Sequence, residues 1–190
     1  MCGMGIDSST PHYFKELVDS VSSIEWPDGL EVQAIDAPTG LAPNALAFAA
    51  DVTAGPGKHD RGTGRLIFLD DPSEPTGWGG RTRAIIFAQS PIEPLMGGHD
   101  ELAHVAWSWL TESLADAGAS YEHPAATVTR VVSVGFGELS PQGRGSQIEV
   151  RASWSPTSSN GKPHAEAWAR FVLHLAGFEI LPEGVASMGL

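Results

Sequence analysis

The residues best placed to do chemistry are Arg130, Glu149 and Arg151, with His164 a short way downstream. Arg130 falls in phase with Val128, Val132 and Val134 in the β-branched run Thr127–Phe136 (TVTRVVSVGF), so a guanidinium sits on an otherwise apolar strand face. Burying that group is costly unless it is paired, so a carboxylate, a ligand or a strand bulge must account for it. Glu149, in the run Ser146–Trp154 (SQIEVRASW), is the nearest candidate partner in sequence. Together Arg130, Glu149, Arg151 and His164 are the expected ligand-binding set, and a small anion is the ligand they suit. The plainer reading is a structural ion pair, or a bulge that turns Arg130 to solvent.

Other chemical signals are weaker. Met1-Cys2-Gly3 would expose an N-terminal thiol on loss of Met1, the arrangement of class II glutamine amidotransferases. In that fold the nucleophile begins a buried strand, whereas Met4–Ser9 is small and polar and leads into a helix. The segment His99–His104 (HDELAH) resembles a zinc-protease helix, but its histidines are five apart where a shared face needs four. Glu101 and His104 form one Glu-x-x-His pair, and a carboxylate-bridged di-iron site needs two on facing helices. His59-Asp60 and His123 lie in polar loops, and no serine sits in a nucleophile elbow. The expectation is therefore no catalytic residue, no metal and no cofactor. The alternative is a small hydrolase or transferase using Cys2 or a loop histidine.

The elements that would carry these residues follow from periodicity. Thr10-Pro11 starts a helix on which Phe14, Leu17, Val18, Val21 and Ile24 recur at helical spacing. Strands are expected at Leu30–Ile35, Leu46–Val52, Arg65–Leu69 and Arg81–Ala88, the last two joined by the turn-rich stretch Asp70–Gly80. A helix follows over Asp100–Gly118, then a hairpin of Thr127–Phe136 with Ser146–Trp154, then a helix over His164–Ala176. The order α-β-β-β-β-α-β-β-α predicts an α+β domain: a mainly antiparallel sheet of about six strands with three helices packed on it. Residues 1–9 read as a flexible start and 10–190 as a single domain.

The Asp100–Gly118 helix carries Trp107 and Trp109, which leave the axis roughly 200° apart. A helix with tryptophan on opposite sides is covered on both, by its own fold or by a partner. It is expected to be the buried, central helix, with Trp107 and Trp109 as the candidate interface residues. A protein partner or a homo-oligomer is the partner expectation.

Composition narrows the classes. The chain has 190 residues with 42% hydrophobic content, enough for one core without disulfides. Its net charge of -12 disfavours nucleic acid and membrane surfaces as partners. A single cysteine, no secretory signal and no apolar stretch of membrane length predict a cytosolic protein.

Several blocks are specific beyond composition: Ala106-Trp107-Ser108-Trp109-Leu110, Thr127-Val128-Thr129-Arg130, Ile148–Pro156 (IEVRASWSP), Glu166-Ala167-Trp168 and Pro182-Glu183-Gly184-Val185. With Gly64-Arg65-Leu66, Asp71-Pro72 and Phe136-Gly137, in matching order and spacing, they resemble the actinobacterial "domain of unknown function 3000" family. The resemblance runs from the first helix to Val185. It implies a stand-alone cytosolic bacterial protein and assigns no activity, cofactor or catalytic residue. The functional expectation is a non-enzymatic module that binds a protein partner or a small anionic ligand.

Overall fold

Alternation decides the sheet. The computed structural model describes residues 11–53, 61–92 and 100–178, and among these six strands form one antiparallel sheet in the order β1-β2-β3-β4-β6-β5. The strands are β1 (Leu30–Ile35), β2 (Asn44–Val52), β3 (Thr63–Asp70), β4 (Thr82–Pro91), β5 (Tyr121–Val134) and β6 (Arg144–Pro156). The helices are α1 (His12–Ser22), α2 (Asp100–Asp116) and α3 (Lys162–Leu175). The α+β class and the order of elements expected from the sequence are both found. Cys2, His59, Asp60 and His99 lie outside the described residues.

Residues opposite one another in neighbouring strands share a face. The row Phe48, Leu66, Ile86 and Ala152 crosses four strands, and all four side chains are buried. Leu46, Phe68, Ala84 and Trp154 form the next row of the same face. The three helices contribute to the same core.

The deepest helix is α3, which buries Ala165, Ala167, Trp168, Ala169, Phe171, Val172, Leu173 and Leu175. Its alanines let the backbone come close to the sheet, and Gly64 takes the closest approach. A Cβ on Gly64 would lie 2.6 Å from Val172 Cγ2 and 3.1 Å from the Trp168 ring. His164, in the first turn of α3, is buried, and its Nδ1 accepts a hydrogen bond from Trp154 Nε1 at 3.0 Å. Burial pushes the pKa of His164 down to about 4, so the ring is the neutral acceptor this bond needs.

A second polar anchor lies beside α1. Asp70 ends β3 fully buried and receives both Nε and Nη2 of Arg81, the latter at 3.0 Å, while Asn44 Nδ2 donates at 3.0 Å. Tyr13 of α1 covers the guanidinium, its ring centroid 4.3 Å from Arg81 Cζ. The pair closes the base of the loop at 71–80.

The expectation that α2 is the buried, central helix is corrected. It lies at one end of the helix layer, beside α3 and against β5, with Glu101, Val105, Ser108 and Glu112 in solvent. Trp109 packs on His174 of α3 at 6.3 Å between ring centroids, and Trp107 faces β5. Each tryptophan is half-buried and covers the gap to one neighbour. Two opposed aromatic rings thus bridge a helix to two neighbours without enclosing it.

Candidate functional site

The expected anion site does not assemble. Arg130 lies opposite Ile148 and Glu149 lies opposite Thr129, so Arg130 and Glu149 leave the sheet on opposite faces. A register offset by one residue moves a side chain to the other face, and the sequence does not state the register. Arg130 is exposed on the helix-bearing side, where its Nε donates to Ser146 Oγ at 3.3 Å. Glu149 pairs instead with Arg151 at 2.9 Å on the side away from the helices, and Arg151 Cζ lies 5.3 Å from the Phe87 ring centroid. His164 is sealed in the core against Trp154. Only Glu149 and Arg151 meet.

The molecule opens elsewhere. A cleft of about 350 Å³ separates α2 from β5, with Ala103, His104 and Trp107 on the helix side and Pro124, Ala125, Ala126 and Val128 on the strand side. The helical residues form one stripe, since Trp107 follows His104 by three positions and Ala103 by four. The strand residues are more informative. Ala125 and Ala126 point to opposite faces, yet both line the cleft, so it runs along the edge of β5 rather than over a face.

That edge is unpaired among the described residues, because β5 is the last strand of the sheet and pairs with β6 alone. Its first turn is guarded. The register shifts between Glu122 and Ala125, His123 takes φ +50°, and Pro124 removes a donor. Arg83 holds this bulge in place, with Nη1 donating to the His123 carbonyl at 3.0 Å and to Ser155 Oγ at 3.1 Å. Nη2 of the same side chain donates to Ser153 Oγ at 2.7 Å. From Ala125 to Val134 the guards stop: the run contains no proline and Arg130 is its only charge.

Among the residues lining the cleft His104 is the only ionisable side chain. His123, expected in a loop, lies instead at the bulge that opens β5; it is exposed, with Nε2 4.0 Å from Glu122 Oε2. Among the described residues no group of three or more His, Cys, Asp or Glu is placed to hold a metal ion, and no helix is long and apolar enough to cross a membrane.

Sequence reasoning singled out Trp107 as an interface candidate but did not connect it to β5. The signal was Gly118, which turns the chain at φ +68° and sends β5 back beside the helix it leaves. The fold and the cleft together define the class: an α+β domain on an open antiparallel sheet whose edge strands, among the described residues, are β1 and β5. The chain belongs to the family described as protein of unknown function (DUF3000), which matches residues 10–186. No curated protein and no solved structure matches it.

Proposed function

We propose that this chain is a non-enzymatic binding module whose β5 edge takes an extended, apolar segment of a protein partner as an added strand. The observation that carries this reading is the lining of the cleft by both Ala125 and Ala126, which brings a cleft beside main-chain groups that are unpaired among the described residues. In strand addition the main chain supplies affinity and pockets for alternate side chains supply specificity. Trp107, Pro124 and Val128 form such a pocket. Its volume of about 350 Å³ stands at the small end of the range of roughly 300–1,000 Å³ for ligand sites. It suits one apolar side chain of the guest.

Panning a random peptide display library against the protein tests this. Enriched peptides are expected to carry an apolar anchor, to protect β5 amides from hydrogen exchange, and to bind Trp107→Ala about tenfold more weakly. Peptides that bind that variant equally well, or that protect other strands, overturn the proposal. A second copy of the chain is the competing occupant of the same edge. Light scattering separates the two, since a dimer abolished by Ala126→Arg would identify the occupant as a homo-oligomer partner.

A further inference from the structure

The sheet face away from the helices carries a feature that neither the cleft nor the core uses. Arg65 of β3 lies opposite Phe87 of β4, and Phe87 lies opposite Arg151 of β6. Two arginines therefore flank one aromatic ring in a single row across three strands. Neighbouring strands are about 4.8 Å apart, so the two arginine backbones stand about 10 Å apart, with the ring between them. The next row on this face runs through Ala47, Ile67 and Ile85 to Ser153. No described helix lies over these rows.

The charges on this face are sorted. Glu31, Asp51 and Glu149 lie along one border row, while Arg65, Arg83 and Arg151 occupy the rows beyond it. Arg65 is exposed and has no ion pair or hydrogen bond among the described residues. Arg151 is held by Glu149, whose side chain is only 16% exposed, and leans over Phe87. The net charge of -12 disfavours a long polyanion. A small anion responds only to charges within about one Debye length, roughly 8–10 Å, which here takes in Arg65 and Arg151 together with Glu149 and Asp51 of the adjacent row.

We infer that this face binds a small organic anion, a carboxylate or phosphate on a flat apolar group. The anion bridges Arg65 and Arg151, and the flat group lies over Phe87 and Ile85. Arginine suits this role because its planar fork meets either oxyanion with two parallel bonds. Glu149 competes with the ligand for Arg151, so it acts as a built-in counter-ion that the ligand displaces. The site is remote from the β5 cleft and does not depend on that reading.

The test is an NMR titration that follows arginine Nε–H and strand amides, with 1-naphthoate and 1-naphthyl phosphate as the two anionic probes and 1-naphthalenemethanol as the neutral control. Shifts are expected at Arg65, Phe87 and Arg151 with at least one anion, and the better of the two identifies the headgroup. Arg65→Gln and Arg151→Gln are each expected to weaken binding about tenfold, and both sites are exposed enough for the variants to fold. Glu149→Gln is expected to tighten binding several-fold, which a purely structural ion pair would not do. Equal binding of the neutral control, unchanged affinity in the arginine variants, or no shift in this row overturns the inference.

Discussion

The two tryptophan-bearing helices, α3 and α2, divide the molecule into a closed half and an open one. On α3 almost every side chain but those at the ends and on one outer stripe is buried, and Trp168 is fully enclosed. On α2 the buried set shrinks to Ala106, Leu110, Ser113 and Leu114, and both tryptophans are half-exposed. The difference is one of neighbours. Helix α3 sits over the middle of the sheet, whereas α2 has α3 on one side and the last strand, β5, on the other. Aromatic content measures how much surface an element offers for burial; position decides how much is taken.

The sharpest test of that contrast pairs two truncations. Trp168→Ala is expected to cost roughly 3–5 kcal/mol in urea unfolding. Trp107→Ala, half-buried at the cleft, should cost about 1 kcal/mol while weakening peptide binding. Equal costs would mean that the cleft belongs to the core.

Acid should act on the closed half through His164. Its folded pKa is about 4, below the unfolded value of about 6.5, so between these values the unfolded chain binds a proton that the folded chain refuses. Stability is therefore full above about pH 6.5 and is lost as pH falls through 4, by roughly 3 kcal/mol in total. His174, between α2 and α3, is also lowered, chiefly by burial and then by the Arg170 charge, and adds a slope of the same sign. His164→Asn keeps an acceptor for Trp154 and should remove the larger part of the slope. A stability–pH curve that keeps its shape in that variant would assign the acid sensitivity elsewhere.

The smallest contrast compares two strand glycines. Gly64→Ala drives a methyl into Val172 and Trp168 and should cost about 1–3 kcal/mol. Gly145 in β6 has nothing within 4 Å of an added Cβ, and Gly145→Ala should change stability by less than about 0.5 kcal/mol. Thermal melts of the two variants decide it.

Much of this was legible in the chain. Period-two and helical spacings located the six strands and three α-helices of the described residues, because local burial writes itself into alternation, but not the 3-10 helix Gly137–Gln142 nor the start of β5 at Tyr121. What they did not carry was long-range pairing. Thr127–Phe136 has the composition of a central strand, yet β5 is an edge, because β6 inserts between it and β4. Arg130 was placed on the wrong side of a pairing with Glu149 for the same reason. Arg65, Phe87 and Arg151 come from three separate runs, so no local cluster of basic residues announces their row. Asp70 was more accessible: it continues the Leu66 and Phe68 phase at the end of a strand, and a carboxylate in that phase calls for a cation. Arg81 immediately precedes the next one.

The far end of the β5–β6 hairpin has a consequence for how the protein breathes. Val132 is 59% exposed and Phe136 78% exposed, so the end of the hairpin is held by strand pairing and by the 3-10 turn Gly137–Gln142 that joins the strands rather than by the packed α-helices. Peeling it away exposes little apolar surface that water does not already touch. Such a segment opens on its own, at a small fraction of the free energy needed to unfold the whole chain. Two kinetic populations of amides then coexist in one sheet. Those under α3 exchange only when everything unfolds, and those of the hairpin end exchange while the core stands.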